Sequence, residues 1–168
     1  MTSLPADPLD QGGIAAFALA LRRGETTAEA TTRTYLARID ALNPRLQAYQ
    51  HVDAERAIAA ARAIDGLLAS GTDLGPLMGV PVGIKDIIAV DGMPTTNGSL
   101  LDTAHITGPE GAMVQRLKSA GAVILGKTKT VEYAFGATGV NSVRGTPCNP
   151  WDSAVHLTPG GSSSGSGV

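Results

Sequence analysis

Apolar and semi-polar residues fall into a helical rhythm at Ala28, Thr32, Tyr35, Leu36, Ile39 and Leu42, the spacing that puts side chains on one helix face. This predicts a helix from Thr27 to Leu42. Thr26 and Glu29 fit a capping box at its start, and Asn43-Pro44 is the expected stop, because a proline ring disfavours helical geometry in the residue before it. A shorter helix is predicted over Leu19–Arg23, with Gly24 ending it. Leu46–Val52 reads as a short strand. Ile58, Ala61, Ile64, Leu67 and Leu68 mark a second helix over Asp53–Ala69, with Asp53 as its N-cap.

The texture changes after Gly75-Pro76. Val80–Ile88 is apolar and β-branched and reads as a buried strand, yet it holds Lys85 and Asp86. A helix over Ala112–Ala120 follows, stopped by Gly121. Ala122–Gly126 is a short apolar run of the kind found inside parallel sheets. Strand, helix, strand in this order predicts a right-handed crossover. From Gly136 onward Gly, Asn, Thr, Pro and Ser dominate and periodicity disappears.

Composition narrows the options. The 168 residues carry 13 Lys and Arg against 15 Asp and Glu, a balance that offers nucleic acid or an anionic membrane no electrostatic grip. No stretch approaches the roughly 20 apolar residues a membrane span needs. The start is neither basic nor apolar, so it does not read as a signal peptide; residues 1–13 are expected to be a flexible N-terminus and 14–168 part of a single domain. Cys148 is the one cysteine, which suits a reducing, cytoplasmic setting and reads as a bystander. His51, His105 and His156 stand apart without metal-ligand spacing, so no metal or other cofactor is expected. Trp151 is expected to pack its loop against the core. Lys127 and Lys129 are expected to be solvated at a strand end.

Two stretches can carry chemistry. In Gly79-Val80-Pro81-Val82-Gly83-Ile84-Lys85-Asp86 a lysine sits within an apolar strand. Such an amine is costly to keep charged, and a neutral amine can accept a proton. The plainer reading is that Lys85 reaches solvent at the strand end. Thr158-Pro159-Gly160-Gly161-Ser162-Ser163-Ser164-Gly165-Ser166-Gly167 has three readings: a flexible linker, an anion-binding nest of backbone N–H groups, or a glycine-shaped turn presenting a hydroxyl. A nucleotide P-loop is excluded, because the lysine it needs is absent.

Taken together, Gly-Val-Pro-x-x-x-Lys-Asp and the later Gly-Gly-Ser-Ser-Ser-Gly resemble the amidase signature family. Gly126-Lys127-Thr128, Glu132-Tyr133-Ala134, Gly136-Ala137-Thr138-Gly139 and Gly145-Thr146-Pro147-Cys148-Asn149-Pro150-Trp151-Asp152 add to the likeness, which runs from about residue 14 onward. The resemblance implies an α/β fold, the N-terminal part of a mixed, mostly parallel sheet flanked by helices, incomplete in this chain. It implies hydrolysis of a small-molecule amide by a Ser–cis-Ser–Lys triad. Lys85 matches the lysine and Ser162 the bridging serine, preceded by a cis peptide bond. Gly160 and Gly161 remove Cβ atoms that would oppose the turn, and Ser163 supports the cluster or merely closes the turn. The family's nucleophile sits in a further Gly-Gly-Ser turn downstream, so it is expected beyond Val168. A C-terminal remainder of the fold is thus an expected partner, and a homo-oligomer is compatible. The rival functions are the glutamine-hydrolysing subunit of a tRNA amidotransferase, which shares these motifs, and a non-catalytic anion-binding or linker module.

Overall fold

The computed structural model describes residues 4–152 and 154–168. Its elements run α1 (Gly13–Arg22), α2 (Ala28–Leu46), β1 (Tyr49–Val52), α3 (Ala54–Ala69), β2 (Pro81–Lys85), α4 (Ala112–Ser119) and β3 (Val123–Thr128), with short 3-10 turns at Glu132–Ala134 and Ser164–Ser166. The sheet is three-stranded in the order β1-β3-β2. β1 and β3 are antiparallel, with Tyr49 opposite Thr128 and His51 opposite Lys127. Val123 N donates to Val80 O and Asp86 N to Thr128 O; the bonds advance in the same sense along both chains, so β2 and β3 are parallel.

The chain divides into two compact units. Residues 1–41, 53–82 and 112–125 form the first. Its core is apolar: Phe17, Leu21, Ala57, Ala61, Ile64, Met78, Val114 and Val123 are all buried. Gly79 adopts a positive φ, and a Cβ there would press on Leu21 and Ala28. That close approach explains the glycine ahead of Val80-Pro81.

Helix boundaries in this unit differ from expectation. α1 starts six residues earlier than Leu19, because Phe17 as well as Leu21 finds burial; packing outweighs the weak propensity of the Gly-Gly start. The predicted capping box at Thr26 and Glu29 is not formed. Thr27 Oγ1 accepts from Ala30 N at 3.0 Å, and the Asp65 carboxylate of α3 accepts from Ala28 N and Glu29 N at 2.7 and 3.0 Å. Glu29 is turned outward to Arg33 and Arg62. Pro44 does not end α2, which continues to Leu46. The stop is Gln47 at φ 52, while Asn43 accepts from Tyr49 N and donates to Tyr49 O, drawing the chain into β1. The cap at Asp53 is as expected, accepting from Arg56 N at 3.1 Å.

Residues 42–52, 83–111 and 126–168 form the second unit. Its interior is polar: Asp86, Ser99, Thr103, Lys127, Lys129, Thr130, Asn141 and Ser164 are buried beside Ile84, Val90 and Val131. Long irregular loops leave backbone groups without helix or sheet partners, and buried side chains satisfy them. Asn141 shows the device. Its amide donates to Gly98 O and Thr130 O, and its oxygen accepts from Val143 N and Arg144 N. Two expectations fail here. Lys127 is 0% exposed and Lys129 8% exposed, because both find oxygen acceptors in these loops, and Trp151 is 90% exposed instead of packed.

Candidate active site

β2 ends at Lys85, which is half-buried, and alternation along the strand turns Asp86 the other way. Lys85 Nζ lies 2.6 Å from Ser162 Oγ, a hydrogen bond between residues 77 positions apart. The Gly161–Ser162 peptide bond is cis. Ser162 O accepts from Val131 N and from Thr130 Oγ1, each at 3.0 Å. The loop just after β3 thus holds the backbone of Ser162 in place.

The glycines of the Gly/Ser run are spent on backbone approach. A Cβ at Gly161 would lie 2.7 Å from Gly139 N, and one at Gly139 would lie 2.3 Å from Gly160 O. Gly160 itself has φ 81. Further on, Gly165 N donates to Lys129 O, whose own N–H donates to Ala48 O. A Cβ at Gly165 would sit 2.0 Å from that Ala48 oxygen. Gly165 and Ser164 are both buried. A flexible linker has no such interlocking partners. Ser163 is exposed, and its carbonyl accepts from Ser166 N, closing the turn.

Asp86 turns to Lys127 instead of Lys85. The Lys127 Nζ–Asp86 Oδ1 distance is 3.0 Å with both side chains out of solvent. Lys127 Nζ also donates to Thr95 Oγ1 at 2.7 Å and Pro94 O at 3.0 Å, and Thr96 donates to Asp86 through its N–H and its hydroxyl. Burial pushes the Lys127 amine below the usual lysine range, against the opposing pull of Asp86. This cluster fastens the Pro94–Thr96 turn to the strand ends next to Lys85. It was missed in the sequence, although parallel pairing of the two apolar runs would already have set Asp86 and Lys127 on neighbouring strand ends.

Lys129 Nζ donates to Gln47 Oε1, Arg144 O and Gly145 O at 2.8, 2.6 and 3.4 Å. Cys148 is half-buried. His156 is exposed, with its Nε2 3.2 Å from Pro147 O. Among the described residues, no group of three or more His, Cys, Asp or Glu is arranged to hold a metal ion, and no helix is long and apolar enough to cross a membrane.

Residues 30–168 match the amidase family model. The chain belongs to the amidase signature family. The chain is 46% identical over 155 residues to 2-amino-5-chloromuconic acid deaminase of Comamonas testosteroni, covering 92% of this chain and 34% of that protein. It is 47% identical over 142 residues to a glutamyl-tRNA(Gln) amidotransferase subunit of Acidothermus cellulolyticus, covering 84% and 28% respectively. The X-ray structure of native peptide amidase from Stenotrophomonas maltophilia superposes with a TM-score of 0.85 at 33% identity, over 96% of this chain and 34% of that one. The chain therefore carries the α/β architecture of the amidase signature family and spans about a third of the length of the relatives it matches.

Proposed function

We propose that this chain supplies the lysine and the bridging serine of an amide-bond hydrolase, and that the nucleophilic serine lies outside residues 1–168. The observation that carries this reading is the 2.6 Å contact between Lys85 Nζ and Ser162 Oγ. At that distance a proton passes directly between the two atoms. Ser162 gives its proton to the Lys85 amine and takes one from the nucleophile as that serine attacks the amide carbonyl. The same relay then returns a proton to the leaving amine. Gly160 and Gly161 let the turn lie against Gly139, and Thr130 and Val131 hold the Ser162 carbonyl, so the relay is oriented before substrate arrives.

Neither later serine suits the nucleophile's part. Ser164 Oγ is buried without a partner among the described residues, and Ser166 Oγ shares a hydrogen bond with Thr128 Oγ1 at 3.2 Å. The 168-residue polypeptide is accordingly expected to be inactive by itself.

The test uses the gene product that carries this chain, assayed on simple primary carboxamides. Ser162→Ala and Lys85→Ala should each lower kcat/KM by roughly a thousandfold or more, the scale seen when a relay member is removed. Losses under about tenfold in either variant would defeat the proposal. A second reading, the glutamine-hydrolysing component of a tRNA amidotransferase, is favoured by the likeness to the glutamyl-tRNA(Gln) amidotransferase protein of Acidothermus cellulolyticus. Copurifying partner proteins and a strict requirement for glutamine would select it over an independent hydrolase.

A further inference from the structure

A cleft of about 400 Å³ in the second unit is lined by Met93, Thr95, Leu100, Leu101, Asp102 and Arg144, among others, and by neither Lys85 nor Ser162. Arg144 is fixed from three sides. Its N–H donates to Asn141 Oδ1 at 2.8 Å, its Nε to Ser99 O at 2.9 Å, and its carbonyl accepts from Lys129 Nζ at 2.6 Å. The Nε bond sets the plane of the guanidinium. Among the described residues nothing accepts from Nη1 or Nη2, the pair of donors whose fork matches a carboxylate.

The charge around it is unbalanced. Lys127 has Asp86, but the buried Lys129 amine meets only neutral oxygens, those of Gln47, Arg144 and Gly145. Burial and the neighbouring Arg144 charge both push the Lys129 amine below the ordinary lysine range. Among the described residues no carboxylate pairs with either cation. Asp102, on the same cleft, accepts from Ala104 N at 2.9 Å. One carboxylate in the lining disfavours a dianion more than a monoanion. Thr95 Oγ1 accepts from Lys127 Nζ and keeps its own hydrogen for a ligand.

We propose that this cleft binds a small aliphatic monocarboxylate. Arg144 takes the carboxylate through Nη1 and Nη2, the Thr95 hydroxyl is a further donor on the same wall, and Met93, Leu100 and Leu101 cover the tail. Leu100 and Leu101 are 66% and 68% exposed, so a bound tail would also remove apolar surface from water. The site does not depend on Lys85 and Ser162 being catalytic.

The test is calorimetric titration of the full gene product with hexanoate, hexanol and inorganic phosphate. Hexanoate should bind saturably and more tightly than either other probe. Arg144→Gln should weaken it by about tenfold or more, the scale of a lost charge-assisted hydrogen-bond pair. Asp102→Asn, which keeps the oxygen facing Ala104 N, should tighten it by about two- to fivefold through removal of one repelling charge. Ser162→Ala should leave it unchanged. Equal binding of hexanol would reduce the cleft to an apolar pocket, and stronger binding of phosphate would make it a general anion site; either overturns the proposal. So does hexanoate affinity that falls in Ser162→Ala, which would place the ligand at the other site, or that stays constant in Arg144→Gln or Asp102→Asn. None of these readouts needs turnover, so failure here leaves the amide-hydrolysis reading standing.

Discussion

Lys127 and Asp86 show how much one buried pair can hold. Their contact joins the ends of β2 and β3 and clamps the Pro94–Thr96 turn. Removing one partner leaves the other charge buried and uncompensated. Lys127→Met should therefore cost about 3–5 kcal/mol in urea denaturation of the gene product. Adding Asp86→Leu to Lys127→Met should recover part of that loss, because no lone charge then remains. Lys129 has a different signature. Its amine titrates lower in the folded chain than in the unfolded one. Between those two values the unfolded chain binds more protons, so stability rises with pH. The wild type should gain stability relative to Lys129→Met as pH is raised from about 7 to about 10, followed by denaturation at each pH. A difference that shrinks over that range would contradict the assignment. Thr32 makes a third case. Its Oγ1 is buried with no hydrogen-bond partner among the described residues. Thr32→Val keeps the shape and removes the unpaired hydroxyl, and should raise stability by about 1 kcal/mol.

At the scale of elements, several local signals held, but two misled: the Thr26–Glu29 box does not form and Pro44 does not end α2. The Asp53 cap, the glycine stop after α4 and the apolar run of β3 follow from neighbouring residues alone. What could not be read was anything closed by a distant partner. α2 is capped by Asp65, 37 positions from Ala28, and no pattern within Thr26–Glu29 announces that. Asp65→Ala should cost about 1 kcal/mol of stability, whereas Thr26→Ala should cost less, because the Thr26 hydroxyl is only 3.4 Å from Thr31 Oγ1 and caps nothing. The Gly/Ser run divides in the same way. Its glycines were expected to shape a turn, but which one touches which backbone emerges only in three dimensions. Gly165→Ala drives a Cβ to 2.0 Å from Ala48 O, while Gly108→Ala meets nothing within 4 Å. The first should displace the turn and lower the melting temperature by many degrees; the second should be silent.

For the whole molecule, the two units differ in what holds them. The first is built on packed aliphatic and alanine side chains; helical spacing marked Ala28, Ala61 and Ile64 of that core but not Phe17 or Ala57, and Leu67 on the expected stripe is 39% exposed. The second rests on a polar network spread over Asp86, Asn141, Lys127 and Lys129, residue types that composition alone assigns to the surface. That is why both lysines were expected in solvent. The same polar unit exposes Leu100, Leu101, Ile106 and Phe135, the last at 92%. Apolar surface of this kind promotes association. The isolated 168-residue chain should self-associate at concentrations where the full gene product stays dispersed, as measured by light scattering. Trp151 has a practical consequence of its own. It is the chain's one indole and already faces water at 90% exposure. Its emission will therefore barely shift when the isolated polypeptide is denatured, so melting followed by intrinsic fluorescence would look featureless even as circular dichroism records the loss of helix.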